Sequence, residues 1–349
     1  MAQAATRRLL LSGLGNVGRR FLELLRDRGD DLEARYGLRF LVVGAADSSG
    51  AALAPDGLPL AELVETKLRG RGAASLPGFG RPDLNAQAMV EACDADFCLE
   101  ASPTNLWNGQ PGLEVATRAL SKGMHAILAS KGALVLAFPE LAELSDLRHA
   151  GRPALRFSGA VGGCLPAVNL GRRDLAGARI RCVEAILNLS SQIVLGLMAE
   201  GLDRPSAVAE AQRQGLLEAD PSLDLDGWDA AAKLVILANA VLGSPARLRD
   251  VAMVGLAGLG TGEVVALRQE GRRMALLATA EAEGDGYRLA VAPTVLEPNH
   301  PFARLERDEA AILYETDIQG RMIASVARQG ALGTAAALLR DVLDVATHA

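Results

Sequence analysis

Five carboxylates and one lysine lie close together between Glu218 and Lys233, in the sequence EADPSLDLDGWDAAAK. Asp229 and Lys233 are four residues apart, which places them one turn apart on the same face of a predicted helix. No charge follows Lys233 until Arg247, so this face is predicted to be buried. Burying an ion pair costs free energy unless the pair is well matched. The pattern alone leaves open a helix-surface salt bridge and a proton-exchanging pair in a functional site.

Lysine is scarce in this chain. Only four of the 36 basic residues are lysines, namely Lys67, Lys122, Lys131 and Lys233. Arginine therefore carries nearly all the routine positive charge, and a lysine is best explained where arginine cannot replace it. The property that arginine lacks is an ammonium group that can give up a proton. This scarcity favours a chemical role for Lys233.

A glycine motif near the N-terminus has the context of a dinucleotide-binding turn. A buried strand is predicted over 8–12, the sequence GLGNVG follows at 13–18, and an amphipathic helix is predicted to about Arg28. The first two glycines would let the backbone approach a pyrophosphate, and the third would let the helix pack closely on the strand. The helix N-terminus would supply free N–H donors. The predicted cofactor contacts in this turn are Gly13, Gly15, Asn16, Val17 and Gly18.

The second predicted strand, Phe40 to Ala46, ends at Asp47. An acid that binds the ribose 2′-hydroxyl of the cofactor is expected at about this distance from the glycines. Because its carboxylate would repel a 2′-phosphate, Asp47 favours NAD over NADP. Lys67 could instead reach a 2′-phosphate, so NADP stays open as the alternative.

Two further buried strands are predicted at 96–102 and 125–130, with a helix near 110–122 between them. Strands that alternate with helices predict an α/β fold with a Rossmann-like, doubly wound parallel sheet. Ligands of such sheets bind at the carboxyl ends of the strands, where this chain has two short polar segments. The predicted cofactor contacts in these segments are Ser102, Pro103, Thr104 and Lys131.

The sequence pattern changes from about residue 150 onwards. A strand is predicted over 179–189, helices over 191–199, 204–214 and 226–243, alternating strands over 262–325, and a final helix over about 333–346. We therefore expect a dinucleotide-binding domain over 1–150 and an α+β catalytic and dimerisation domain over 151–320. The segment 320–349 is expected to pack back onto the first domain.

Composition and charge argue against several classes of protein. The net charge is −6 and no basic stripe with interleaved aromatic residues occurs, which argues against a nucleic-acid partner. No apolar run has the roughly 20 residues of a membrane span. We read no targeting segment and expect a cytoplasmic protein. The four cysteines and four histidines lack metal-ligand spacing, so no transition-metal site is predicted.

With these motifs placed, the chain resembles the homoserine dehydrogenase family over nearly its whole length. The matching motifs are GLGNVG at 13–18, ADSSG at 46–50, SPTN at 102–105, ASK at 129–131, VGGCLP at 161–166 and EADPSLDLDGWDAAAK at 218–233. The resemblance implies reversible hydride transfer between NAD or NADP and C4 of homoserine or aspartate 4-semialdehyde. We expect a short form of the family, without an aspartokinase or ACT domain.

The same resemblance implies roles for individual residues. Lys233 would exchange a proton with the substrate oxygen, Lys131 would assist, and Asp229 would orient Lys233 and bind substrate. Glu218 would bind the α-ammonium of the substrate, with Asp224 in support. A homodimer is implied as well, because in the family the strand at 179–189 belongs to a sheet shared across the dimer. Further implied contacts are Ser190 and Gly163 for the substrate, Ser48 for the cofactor, and a monovalent cation site left open near Val161.

Several positions depart from the family pattern. Where the family normally reads Asn-Gly-Thr-x-Asn-Tyr-Ile, residues 188–194 read NLSSQIV. Leu189 and Ile193 replace glycine and tyrosine, Gln192 replaces asparagine, and Leu216 stands where an aromatic hydroxyl is usual. These changes leave fewer polar groups for homoserine. The alternatives are a related dehydrogenase for a less polar hydroxy, oxo or amino acid and, more remotely, a non-catalytic cofactor-binding protein.

Overall fold

The computed structural model describes residues 4–145, 151–218, 220–327 and 329–348. The chain divides into two compact units, Met1–Cys164 with Gln329–Ala349, and Leu165–Arg328. The domain boundary predicted at residue 150 lies outside the described residues. The assignment of cofactor binding to the first unit and of catalysis to the second stays a prediction.

The described residues of the first unit form seven strands and six α-helices before the chain enters the second unit. In chain order they are β1 (Ala5–Ser12), α1 (Asn16–Tyr36), β2 (Leu38–Asp47), β3 (Gly50–Leu53), α2 (Leu60–Leu68), β4 (Gly80–Arg81), α3 (Ala86–Ala92), β5 (Phe97–Glu100), α4 (Gly112–Ser121), β6 (His125–Leu128), α5 (Gly132–Leu136), α6 (Phe138–Leu144) and β7 (Leu155–Arg156). The strands form one sheet in the order β4-β3-β2-β1-β5-β6-β7.

Five strands of this sheet, from β2 through β1, β5 and β6 to β7, run parallel. The predicted Rossmann-like α/β fold is therefore confirmed. The edge differs from the prediction, because β3 and β4 pair antiparallel with their neighbours. These strands are only 4 and 2 residues long, too short for a periodic pattern to reveal them.

The register of the central strands brings the carboxyl ends of four strands to one level. Ser12 of β1 pairs with both Ala46 of β2 and Glu100 of β5, and Glu100 pairs in turn with Leu128 of β6. In a parallel sheet this level is the carboxyl edge, where ligands bind. The glycine turn, the residue after Ala46, and the segments after β5 and β6 therefore share one edge.

The second unit contains a six-stranded sheet and the helices that cover it. Its elements are α7 (Ala167–Asn169), β8 (Ile180–Ile186), α8 (Leu189–Ala199), α9 (Arg204–Arg213), α10 (Ser222–Leu225), α11 (Trp228–Ala240), β9 (Val251–Met253), α12 (Thr261–Gln269), β10 (Arg273–Glu283), β11 (Gly286–Leu296), β12 (Glu309–Thr316) and β13 (Arg321–Ala327). The strand order is β13-β12-β8-β10-β11-β9, and α8, α11 and α12 all contact β10. The region 262–325, predicted as strands only, thus also contains a helix, α12.

The last helix, α13 (Gly330–His348), belongs to the first unit, where it packs on α1. Phe21 and Leu22 of α1 and Leu338 and Val342 of α13 are almost completely buried in one apolar cluster with β1. This cluster anchors α1, and hence the helix N-terminus beside the glycine turn, on the sheet.

Candidate active site

Backbone contacts fix the shape of the turn between β1 and α1. Gly13 has a φ of 93°, and a Cβ there would lie 2.4 Å from the carbonyl carbon of Ala101. A Cβ on Gly18 would lie 1.9 Å from the carbonyl oxygen of Gly13. Both positions therefore require glycine, the first for its conformation and both for lack of space.

Gly15 differs from these two glycines because it faces open space. No atom lies within 4 Å of the position that its Cβ would occupy. It is the N-cap of α1 and provides no side-chain cap, so Asn16 and Val17 begin the helix with backbone N–H groups that lack a side-chain acceptor there. An uncapped helix N-terminus facing open space is suited to bind a phosphate or pyrophosphate.

Asp47 ends β2 and is held by several donors. Lys67 donates from Nζ to Asp47 Oδ2 at 2.5 Å, and the backbone N–H of Ala73 donates to the same oxygen at 3.0 Å. Ser49 donates to Oδ1 from its backbone N–H at 2.9 Å and from Oγ at 2.7 Å. Burial alone would raise the pKa of Asp47, but the hydrogen bonds from Lys67, Ser49 and Ala73 bring it below its usual value. Asp47 and Lys67, which the sequence suggested as competing determinants of cofactor choice, thus form one ion pair, and the neighbouring Ser48 is exposed.

The segments after β5 and β6 meet at the same edge of the sheet. Ser102 donates from its backbone N–H to Glu100 Oε1 at 2.8 Å, and Pro103 and Thr104 are exposed. The backbone N–H of Lys131 donates to Thr104 Oγ1 at 3.3 Å. The structure therefore joins two segments that sequence analysis placed separately at the cofactor edge.

Lys233 is the centre of a polar network in the second unit. Its Nζ donates to Asp229 Oδ2 at 2.6 Å and to the carbonyl oxygen of Leu187 at 2.6 Å. The side chains of Lys233 and Asp229 are only 13% and 17% exposed. The predicted one-turn spacing on α11 therefore forms a largely buried ion pair, and a backbone carbonyl holds the ammonium from a second direction.

Asn188 connects one further acid, Asp224, to this pair, a role that sequence analysis missed. Its Nδ2 donates to Asp224 Oδ1 at 2.7 Å and to Asp229 Oδ2 at 3.0 Å. Its Oδ1 accepts from the backbone N–H of Ser191 at 2.9 Å and so caps α8. The available signal was an asparagine directly before an apolar helix, which predicts an N-cap but not the acids that it binds.

Comparison with known proteins agrees with this geometry. Residues 166–343 match the family model for homoserine dehydrogenase. The NAD(+)-dependent homoserine dehydrogenase of Pseudomonas canavaninivorans is 32% identical over 97% of this chain and 96% of that protein. The homoserine dehydrogenase of Methanocaldococcus jannaschii is 31% identical over 97% of this chain and 98% of that protein. The chain belongs to the homoserine dehydrogenase family.

A solved structure supports the family assignment at the level of the fold. The crystal structure of a putative homoserine dehydrogenase from Archaeoglobus fulgidus is similar with a TM-score of 0.85 and 30% identity, covering 97% of this chain and 99% of that chain. The predicted enzyme class, an NAD(P)-dependent oxidoreductase acting on a CH–OH group, is that of the family and is confirmed. These comparisons do not favour the sister dehydrogenase or the non-catalytic protein.

Two of the apolar replacements that departed from the family pattern, Ile193 and Leu216, share one cavity. Ile193 and Leu216 both line a cavity of about 470 Å³ beside α8 and α9, together with Leu197 and Leu202. Lys233 is not among the residues that line this cavity. Ile193 is 2% exposed, so it packs as a core residue of the second unit. These two replacements are therefore weaker evidence for a changed substrate than their sequence positions indicated.

The remaining predicted substrate contacts are spread over both units. Ser190 lies in the first turn of α8, two residues after Asn188. Glu218 is exposed, and its backbone carbonyl accepts from Gln212 Nε2 at 3.0 Å. Gly163 belongs to the first unit and has a φ of 60°, next to the buried Val161. The roles of these residues, and a cation site near Val161, stay predictions.

Two findings concern metals and membranes. Within the described ranges, no group of three or more histidine, cysteine, aspartate or glutamate side chains could hold a metal ion. Over the same part of the chain, no helix has the length and apolar character needed to cross a membrane.

Proposed function

We propose that this protein is a homoserine dehydrogenase that interconverts homoserine and aspartate 4-semialdehyde. The observation that carries the proposal is the Lys233–Asp229 pair, because Asp229 and the Leu187 carbonyl hold the ammonium of a largely buried lysine in one position, from which it can donate a proton. Membership of the homoserine dehydrogenase family supports the same reaction.

Lys233 exchanges the proton at the C4 oxygen of the substrate. In the reductive direction its ammonium donates a proton to the oxygen as negative charge develops there. In the oxidative direction the neutral amine accepts the hydroxyl proton. Asp229 and the carbonyl of Leu187 limit the directions in which Nζ can point, so the proton is delivered from a fixed position.

The acids around Lys233 bind and orient the substrate. Asp229 holds Lys233 and contributes to the substrate site, while Asn188 fixes both Asp229 and Asp224. Glu218 is exposed and binds the α-ammonium group of the amino acid. Ser190 and Gly163 complete the proposed substrate contacts.

The edge of the first sheet holds the nicotinamide cofactor. The open helix N-terminus fits a pyrophosphate, which the backbone N–H groups at Gly15, Asn16 and Val17 bind. A nicotinamide cofactor bound at this edge would supply or take up the hydride that C4 of the substrate gains or loses. Ser102, Pro103 and Thr104 line this edge, and Lys131 follows β6 at the same edge as the lysine that the family resemblance assigns an assisting role.

NAD is the proposed preferred cofactor. The carboxylate of Asp47 lies at the end of β2. There it would accept a hydrogen bond from a ribose hydroxyl and would repel a 2′-phosphate. Its ion pair with Lys67 reduces this repulsion without removing it, so NADP is used less well. The similar Pseudomonas enzyme is named as NAD(+)-dependent, which agrees with this preference.

A homodimer in the cytoplasm is the proposed working form. β8, the strand that the family resemblance assigned to a shared sheet, is central in its sheet, between β12 and β10. Main-chain pairing with a partner strand would therefore use the edge strands β13 or β9. Light scattering on the purified protein tests this proposal. A mass of two chains supports the dimer, and a mass of one chain contradicts it.

Purified protein should be assayed for oxidation of homoserine and of a panel of less polar hydroxy acids, with NAD and with NADP. We expect homoserine to exceed the others in kcat/KM by at least ~100-fold, because a polar site rejects analogues that leave its groups unpaired. A less polar hydroxy acid as the best substrate would instead favour the sister dehydrogenase.

A further inference from the structure

Glu100 is an acidic residue that is buried inside the first sheet. It is the last residue of β5, in the middle of the first sheet, and is only 1% exposed. A carboxyl group buried in this way costs free energy unless hydrogen bonds satisfy it. Sequence analysis treated it only as part of a buried strand, and the proposed mechanism assigns it no role.

The two oxygens of Glu100 serve two different segments of the chain. Oε1 accepts from the backbone N–H of Ser102 at 2.8 Å and from the Ser102 hydroxyl. Oε2 accepts from the hydroxyl of Ser130, which is 5% exposed. Ser102 begins the proposed cofactor segment, and Ser130 directly precedes Lys131. The carboxyl group thus bridges two segments that carry proposed site residues.

Packing and main-chain contacts hold the bridge in place. A Cβ on Gly112, the first residue of α4, would lie 2.9 Å from both Glu100 Oε2 and Ser130 Oγ. The carbonyl of Glu100 accepts from the backbone N–H of Ala129 at 2.7 Å. The carboxyl group therefore has little freedom to move, and it can transmit a fixed geometry to both serines.

Hydrogen bonds offset part of the cost of burying this carboxyl group. Burial raises the pKa of Glu100, and the hydrogen bonds from Ser102 and Ser130 oppose that rise. An apolar residue would avoid the cost of burial, but it could not hold two hydroxyl groups at once. The direct link from the Lys131 N–H to Thr104 Oγ1, at 3.3 Å, joins the same two segments a second time.

We propose that Glu100 is a positioning residue that sets the cofactor segment with one oxygen and the Ser130–Lys131 turn with the other. This inference rests on the proposed function, since it assigns consequences to cofactor binding and to Lys131. The effects of the two Glu100 oxygens can therefore be separated by experiment. Loss of the Ser102 contact acts on cofactor binding, and loss of the Ser130 contact acts on turnover.

The test compares Ser102→Ala, Ser130→Ala and Glu100→Met in steady-state homoserine oxidation. Ser102→Ala should raise KM for the cofactor about 10-fold with kcat within about 2-fold, the scale of one hydrogen bond to an acid. Ser130→Ala should lower kcat about 10-fold with the cofactor KM within about 2-fold. Glu100→Met, which fills a similar volume without acceptors, should show both changes.

Glu114→Gln on α4 is the matched control, because it removes a half-exposed carboxylate that pairs with Arg118. It should leave kcat and both KM values unchanged. Thermal unfolding of each variant separates kinetic changes from loss of fold, and the serine variants remain informative if Glu100→Met does not fold. Serine variants that are kinetically equal to the wild type, or that change kcat and KM together, overturn the proposal.

The effect of the Ser102 contact on cofactor binding is also measured without turnover, by fluorescence titration with NADH. A wild type that binds NADH but does not oxidise homoserine contradicts the proposed function and not the bridge. In that case Ser102→Ala should still weaken NADH binding about 10-fold, the loss expected for one such hydrogen bond, and unchanged binding contradicts the bridge itself.

Discussion

The two polar regions of this molecule are held by different means. At the cofactor edge of the first unit, the backbone itself forms the proposed site, through Gly13, Gly15 and an uncapped helix N-terminus. In the second unit, side chains hold one another, and one amide, Asn188, contacts two of the acids. The glycine turn should tolerate side-chain changes at its other positions, because its glycines and backbone N–H groups form the proposed pyrophosphate site. A side-chain network should fail when a single shared residue changes.

Asn188→Asp tests the side-chain network with the largest expected loss among these comparisons. Aspartate still caps α8, but it cannot donate to Asp224 or Asp229 and its charge repels both. We expect kcat/KM for homoserine to fall about 10- to 100-fold, the range for lost hydrogen bonds to charged groups. Steady-state kinetics with circular dichroism measures this.

Asn85→Asp is the matched control for that change. Asn85 caps α3 by accepting from the Ala88 N–H. The same substitution is therefore made at a helix cap that lies outside the proposed substrate site. Its activity should equal that of the wild type. If Asn188→Asp is equally active, the shared amide is not important for the network.

The glycine turn gives the contrasting test for the backbone site. Gly15→Ala places a methyl group in open space, so the thermal midpoint should hardly change while the cofactor dissociation constant rises about 10-fold from lost N–H contacts. Gly13→Ala forces a clash with Ala101 and a strained φ, which should cost at least ~2 kcal/mol of unfolding free energy. Equal effects of the two variants on stability would contradict this account of the turn.

Asp47→Ser sharpens the account of cofactor choice. The change removes the charge that repels a 2′-phosphate and releases Lys67 from its ion pair. We expect the ratio of kcat/KM for NAD to kcat/KM for NADP to fall about 10-fold, typical of one charge contact. Asp56→Ser, at an exposed acid in the same unit, is the control. An unchanged ratio would show that Asp47 does not determine cofactor choice.

Asp341 is predicted to affect stability and not activity. Burial raises its pKa to about 6, although Ser158 donates to Oδ2 from its backbone N–H at 2.8 Å. Because the folded pKa lies above the unfolded one, this group contributes stability below pH 4 that is lost as the pH rises through about 6.

The neutral variant Asp341→Asn should lack that loss. The difference in unfolding free energy, variant minus wild type, should rise by about 1–3 kcal/mol between pH 4 and pH 7, as the size of the pKa shift implies. Urea unfolding at several pH values measures the difference. Asp31→Asn, at an exposed acid on α1, serves as the control. A relative stability that does not vary with pH would contradict the raised pKa.

The same contrast between the units explains what the sequence could predict. The glycine turn and the ends of β2, β5 and β6 depend on local order along the chain, so GLGNVG and Asp47 could be placed from the pattern. The Asp229–Lys233 pair was also predictable, since both residues lie on one helix. In each case the residues that act together are neighbours in sequence or in strand order.

Contacts between distant segments could not be predicted in this way. Asn188 reaches Asp224 and Asp229 across 36 and 41 residues, and Glu100 reaches Ser130 across 30. No periodicity encodes such pairs. Sequence position alone also could not show that Ile193 and Leu216 line one cavity, among whose lining residues Lys233 is not found.

The most direct test of the central claim is the activity of Lys233→Met, which keeps the volume of the side chain and removes the proton donor. We predict that kcat for homoserine oxidation falls at least ~1,000-fold, within the range for loss of general acid–base catalysis, while the cofactor dissociation constant is unchanged. Lys122→Met is the control, because Lys122 binds the backbone carbonyls of Val90, Glu91 and Cys93 and should affect stability only. A folded Lys233→Met variant that turns over homoserine at the wild-type rate would contradict the account.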